Sequence, residues 1–272
     1  MVVLFAGGLA ICDNAERMVP PRLADLHVAD GNMEGKELRF GVSGSVLAAV
    51  VTSNGATGSS NSMHDSYRAM GVLVPLVNML LGEVVFGGLG TGLYGMVMIA
   101  LVAVFLGGLM IGRTPEFLGK KITADETRLI VTYALITPAV VLVLTAVAVA
   151  TLPGRAGLVT NGGTHGFTEI LFAYTSSMAN NGQAMAGLNA NSVFYNTTTA
   201  LAMLAGRFGL AALALTVAGR FAAQRRSPTT AGTLPSDSAT FAILVLGTIV
   251  LVGALCFLPA LALGPIAEAF QH

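Results

Sequence analysis

Charge is scarce in this sequence: of 272 residues only 10% are charged, whereas 54% are hydrophobic and the mean hydropathy is +0.75. A soluble domain of this size has no reason to be so poor in charge, so the chain belongs in lipid. Basic and acidic residues number 14 each, which leaves no net positive field to draw nucleic acid. Cysteine is nearly missing. Cys12 and Cys256 stand far apart in or beside apolar stretches, which excludes a disulfide framework or a metal cluster. The four histidines are scattered without metal-ligand spacing, and no G-x-x-x-x-G-K-S/T phosphate loop occurs. Paired carboxylates and Ser-His or Cys-His constellations are lacking too, which argues against an intramembrane enzyme.

What is present is a series of long uncharged stretches. Between Arg68 and Arg113 the one charge is Glu83, and none interrupts Arg128 to Arg155, Glu169 to Arg207 or Asp237 to Glu268. A bilayer core about 30 Å thick needs roughly 20 apolar residues per helical span, so these are the membrane segments. Two loops are basic: Arg113 to Arg128, with Lys120 and Lys121, and Arg220 to Arg226. The positive-inside rule places both in the cytoplasm. The polar stretch Cys12 to Arg39 is acidic on balance and suits the outer face. The apolar N-terminus, Met1 to Cys12, is too short to span and lacks the basic start of a signal peptide, so it reads as the end of a helix cut off upstream.

Within this frame two segments are only half as long as a span. Phe40 to Ser53 runs directly into small polar residues, Asn54 to Asn61, and Gly166 to Ser177 ends in Ala179-Asn180-Asn181-Gly182-Gln183. Half a helix followed by polar backbone and a return signals a re-entrant loop, because irregular backbone at that depth must line a cavity or be buried in protein. Aligning Gly58 with Gly182 pairs Thr52-Ser53-Asn54-Gly55-Ala56-Thr57-Gly58 with Ser176-Ser177-Met178-Ala179-Asn180-Asn181-Gly182, an internal repeat. Glycine at the turn permits backbone angles closed to other residues. A half-helix entering from outside presents the negative end of its dipole at mid-membrane, and the following carbonyls can bind a cation. The alternative is that these small residues only pack helices together.

The apolar region Val72 to Ile111 would be about 60 Å long as one helix, too long for a single straight crossing. Its centre holds Gly87, Gly88, Gly90 and Gly92, which should unwind it, and one broken crossing keeps the basic loop inside. Leu129 to Thr151 is a span with Pro138 as a kink, residues 152 to 165 an outer loop, Val193 to Phe221 a span, and Ala239 to Gly264 the last. Glu83 and Arg207 lie in apolar stretches, where a charge faces water, an ion or a partner; the two can also pair with each other. His64 and Asp65 suit an outer vestibule, with helix capping by Asp65 as the other reading, and His165 reads as a surface residue.

Several long, ordered motifs carry a family resemblance. Asn32 to Glu37, Met63-His64-Asp65-Ser66, Gly82 to Gly88, Gly92 to Met96, Gly112 to Ile122, Asn180 to Leu188 and Leu258 to Pro265 resemble the potassium-binding A subunit of the Kdp transporter. The resemblance implies an all-α membrane protein of the superfamily of K+ transporters, built from helix, pore-loop, helix repeats plus a final transmembrane helix. Two of the four expected repeats are here: 1–128 as the third, with a truncated first helix, 129–237 as the fourth with its cytoplasmic loop, and 238–272 as the final helix. It further implies that Ala56, Thr57, Gly58, Ser59, Ala179, Asn180, Asn181 and Gly182 form two quarters of a potassium filter. Gly87, Gly88, Gly90, Gly92 and Arg207 would lie on the ion path or gate.

No cofactor is implied beyond K+ as the transported ion. The implied partners are a P-type ATPase catalytic subunit (KdpB), which hydrolyses the ATP, KdpC-type and small KdpF-type subunits, and lipid of the bacterial inner membrane, but no nucleic acid. In such a complex potassium passes from the filter through an intramembrane tunnel to the ATPase. An ion-gradient-driven secondary transporter with broken helices is the alternative. Two filter quarters cannot surround an ion, so the chain reads as part of a four-repeat protein. An antibody against the loop 224–237 should therefore detect, in native membranes, a band near twice the 27.8 kDa of this chain; a band at that mass sinks this expectation.

Overall fold

A computed structural model describes residues 1–18, 31–82, 85–88, 91–112, 115–225 and 238–271. Four helices among these are long and apolar enough to cross a membrane: Gly92–Met110, Ala124–Ala150, Val193–Ala223 and Ala239–Ala269. Apolar residues surround these helices rather than lining one stripe, as expected where lipid replaces water on the outside. The architecture is that of an all-α membrane protein; its strands are Glu116–Phe117 (β1) and Lys120–Lys121 (β2), an antiparallel hairpin turning at Leu118 and Gly119.

Helix α1 (Val2–Arg17) packs against α2 (Gly41–Gly55) and α3 (Ala69–Leu80). Of 15 residues, α2 is about 22 Å long, short of the roughly 30 Å of a bilayer core. The chain leaves it through Ala56 in the left-handed region and runs extended toward a short helical turn, His64–Ser66. After α3 the helix breaks from Leu81 onward and resumes as α4 (Thr91–Ile111). Among the described residues of the break, Gly82, Phe86 and Gly87 have positive φ. It starts earlier than the glycine spacing suggests, and Gly92 lies inside the first turn of α4 rather than in the unwound part. Glu83 and Gly90 lie outside the described residues, as do Arg113, Arg226 and Asp237.

Helix α5 (Ala124–Ala150) begins with a capping box in which Thr123 and Glu126 satisfy each other's backbone N–H groups, and it continues through Pro138. One helical turn, Leu152–Arg155, leads to α6 (Gly163–Ala179), the second half-length helix, which starts three residues before the apolar run does. The span Val193–Ala223 consists of α7 (Val193–Leu204), a π-helical turn at Ala205–Gly209, and α8 (Leu210–Ala223). Helix α9 (Ala239–Leu261) ends in a second π-helical turn, Ala262–Ile266. The largest core lies where α2, α3, α6 and α9 meet, around Val46, Val50, Leu76, Phe172, Met178 and Phe257.

Polar contacts sort the loops into two faces. The Lys120 ammonium donates to the carbonyls of Phe221 (2.8 Å) and Gln224, so it caps the C-terminus of α8. Arg220 pairs with Asp125 at 2.7 Å and with Glu126 at 3.0 Å. These contacts put both basic loops on one face, as the charge rule requires. On the other face Glu16, at the end of α1, is fully buried. Its carboxylate meets the Lys36 ammonium at 2.8 Å, the Asn32 amide at 2.8 Å and the Arg68 backbone N–H at 2.7 Å. Lys36 also stands 4.2 Å over the Tyr67 ring. One carboxylate thus ties the outer loop to α1 and to the start of α3. Replacing Lys36 by Met strands that charge, and a loss of about 3–5 kcal/mol of stability is expected, partly restored by adding Glu16→Gln. Unfolding in detergent measures it; a midpoint unchanged by Lys36→Met contradicts the role.

Candidate functional site

The two half-helices end in the same backbone conformation. Ala56 (φ 50°) and Asn180 (φ 56°) close α2 and α6 in the left-handed region, and Gly58 (φ 70°) and Gly182 (φ 86°) follow two residues later. The positions correspond in the register that pairs Gly58 with Gly182. A positive φ at Ala56 and Asn180 was not foreseeable from residue type, since Ala rarely adopts it and Asn does so only sometimes.

The structure brings these two segments into contact. The Asn181 side-chain amide donates to the Thr52 carbonyl at 2.9 Å, and that of Gln183 donates to the Ser59 carbonyl at 3.2 Å. Gly58 lies against the Asn181 carbonyl so closely that a Cβ there would collide with it. The Thr52 and Thr57 hydroxyls stand 2.7 Å apart, and the Asn78 amide of α3 donates to the Ser53 hydroxyl at 3.1 Å. Thr57, Ser59 and Gly182 remain exposed on the side away from the core. Both helix C-termini reach this place with the negative ends of their dipoles, so a cation is favoured there. Asn78 and Gln183 were missed in the sequence; the signal was an amide inside an apolar run and one directly after the loop.

Beneath the second loop an open-mouthed cleft of about 130 Å³ is lined by the end of α6 (Met178 to Asn180), by Gly206, by Leu81 and Gly82 of the break, and by Tyr94, Thr248 and Cys256. Gly206 packs on the Met178 carbonyl, leaving no room for a side chain, and the Asn180 amide donates to the Met203 carbonyl at 3.3 Å. The π-helical turn therefore sits directly under the loop. Arg207 projects from it with an exposed side chain. π-Helical turns are uncommon, and they mark functional positions often. Of the unwound segment, Leu81 and Gly82 face the cleft, whereas Gly87 and Gly88 stand beyond it.

At the outer face two expectations change. His165 is largely enclosed rather than a surface residue, and Asp65 caps no helix. Instead the imidazole bridges two segments far apart in the chain: Nε2 lies 3.1 Å from Asp65 and Nδ1 2.8 Å from Glu268. Glu169, one turn along α6, is 3.8 Å from the same ring. The hydrogen bond to Glu268 pulls the His165 pKa up to about 9, against the opposing effect of burial. Burial, foremost, pushes the Glu169 carboxyl up, with the Asp65 charge adding to it. His64, packed between Tyr67 and Phe172, is held down to about 4 by burial and by Lys36. A histidine four residues before an acid on an apolar half-helix was the legible sign of this group.

In metal-free protein the His165 bridge should contribute stability fully below the ordinary histidine pKa of 6.5 and lose it as pH rises through about 9, because its folded pKa is the higher one. Melting temperatures across that range should fall less steeply for His165→Gln; parallel curves refute the bridge.

Comparison with known proteins accords with this arrangement. The family model described as potassium-transporting ATPase A subunit matches residues 1–270. The potassium-transporting ATPase potassium-binding subunit of Pseudomonas aeruginosa is 53% identical over 269 residues, 98% of this chain and 48% of the relative. Those of Ralstonia pickettii and Mesorhizobium japonicum are 52% and 50% identical over 270 and 268 residues, each covering 98% of this chain, and 46% and 47% of the relatives. The chain spans about half the length of the curated relatives it matches. With the two re-entrant half-helices, the broken span and the helical membrane architecture, the match leaves one assignment: the chain belongs to the potassium-transporting ATPase A subunit family.

Proposed function

We propose that this chain binds potassium from the outside as part of the potassium-binding subunit of an ATP-driven uptake complex in the bacterial inner membrane. The observation that carries this reading is the pair of short helices that end in matching left-handed residues, 124 positions apart, and touch through Asn181 and Gln183. Dehydrating potassium takes several oxygens around one axis. Residues 56–59 and 180–182 supply two quarters of that ring, each at the negative end of a helix. On this reading residues 1–128 and 129–237 are two repeats, 238–272 is the final helix, and the remaining quarters come from the rest of a subunit like the relatives.

Below the ring, the cleft under Asn180 and Gly206 is the start of a route inside the membrane. The broken segment after Leu80 separates that route from the cytoplasm, and Arg207 sets a positive charge beside it, which limits how far a cation descends without being handed on. A P-type ATPase catalytic subunit then receives the ion and supplies the ATP hydrolysis, with KdpC-type and KdpF-type subunits completing the complex.

Gly58→Ala places a methyl group against the Asn181 carbonyl at a φ of 70°, so in the complete complex it should raise the potassium concentration for half-maximal uptake by at least about tenfold. Arg207→Ala should change uptake rate or potassium affinity. If both variants behave as wild type, the filter and path assignments fail. Uptake that persists after ATP depletion but stops when ion gradients are collapsed would favour a secondary transporter instead.

A further inference from the structure

Away from the two loops, three distant chain segments deliver three carboxylates and one imidazole to a single point on the outer face. Asp65 comes from the turn before α3, His165 and Glu169 from successive turns of α6, and Glu268 from the helical turn after α9. Among the described residues no lysine or arginine pairs with any of these carboxylates; His165 is their shared cation. The group is not exposed acid on a loop. Glu169 is fully buried, its Oε1 accepts from the Asn161 amide at 2.9 Å, and its Oε2 has no hydrogen-bond partner. One carboxylate oxygen each of Glu169 and Asp65 lies within 4.8 Å of the other. A buried carboxylate with one unpartnered oxygen, beside a second carboxylate, calls for a cation.

The spacing selects the kind of cation. One ligand atom each from Asp65, His165 and Glu169 lies within 4.8 Å of the others. Around a tetrahedral zinc ion with bonds of roughly 2.0–2.1 Å, ligand atoms stand about 3.3 Å apart. The Nε2 distances to Asp65 Oδ1 and Glu169 Oε1, 3.1 and 3.8 Å, bracket that value. The other ring nitrogen, Nδ1, is 2.8 Å from Glu268, the arrangement in which a carboxylate holds a metal-bound imidazole in orientation and tautomer. An imidazole nitrogen among the ligands favours zinc over magnesium or calcium, which take oxygen. We propose that Asp65, His165 and Glu169 bind one divalent cation of the zinc class at the outer face, with Glu268 positioning the histidine. The ion takes the place of the proton between Nε2 and Asp65. It joins the segment after the first loop to the second half-helix, and through Glu268 to the end of the last helix.

The experiment uses the tag-free, complete subunit purified in detergent, stripped of metal and titrated with zinc sulfate, with no potassium flux or ATP involved, so its outcome is independent of the transport reading. One zinc ion per chain should bind in the micromolar range or tighter, undisplaced by a large excess of magnesium. Glu268→Gln should weaken binding about 10–100-fold, and Asp65→Asn and Glu169→Gln should weaken it at least as much. X-ray absorption of the zinc-loaded wild type, which needs no variant, should show nitrogen and oxygen ligands with one imidazole. The assignment is overturned if wild type takes up no stoichiometric zinc, if sulfur or several imidazoles surround it, or if His165→Gln binds as tightly as wild type.

Discussion

Inside a bilayer nothing but the protein can satisfy a backbone N–H or C=O, and the two short helices α2 and α6 end in irregular backbone among apolar helices. The rest of the molecule is arranged around this constraint. Each half-helix turns out through a left-handed residue, Ala56 or Asn180, and the side-chain amides of Asn181 and Gln183 take up carbonyls of the other loop. Gly58 must lack a side chain because the neighbouring loop's carbonyl occupies that space. The same logic reaches the π-helical turn, where Gly206 admits the Met178 carbonyl and the Asn180 amide accounts for that of Met203. Carbonyls at or just beyond the end of α2 and at the end of α7 are thus held by side-chain amide donors from neighbouring segments.

Apart from Arg207, which sits in mid-span, the charged residues with described ion pairs gather at the two ends of the helices and work there as fasteners. At one end Lys120 and Arg220 bind the ends of α8 and α5 to each other. Outside, the Glu16 carboxylate gathers Lys36, Asn32 and the start of α3, and the His165 imidazole gathers Asp65 and Glu268. Buried ion pairs are costly to form and costlier to break in half. Their use where loops converge ties the loop before α2 and the first turn of α6 to their neighbours.

The hydropathy pattern, the charge asymmetry of the loops and the two half-length runs were enough to read an all-α membrane architecture with re-entrant segments. The sequence register that aligned Gly58 with Gly182 pairs two residues that both carry positive φ. Local signals erred where two elements compete for the same residues. Glycine spacing placed the break around Gly87 to Gly92, yet it opens at Leu81, and Gly92 joins the helix. His165 looked like a surface residue because its partners, Asp65 and Glu268, are 100 and 103 residues away.

The sequence by itself determined that the chain is an all-α membrane protein with long apolar helices and two shorter ones, because hydropathy and glycine content act locally and sum along the chain. Only the tertiary structure decided that the two loops lock together through Asn181 and Gln183, that the π-helical turn lies beneath Asn180, and that four titratable groups meet at His165. Those are pairings between segments that fold separately. A hydrogen bond or ion pair depends on distances of a few tenths of an ångström, and no one-dimensional pattern encodes that.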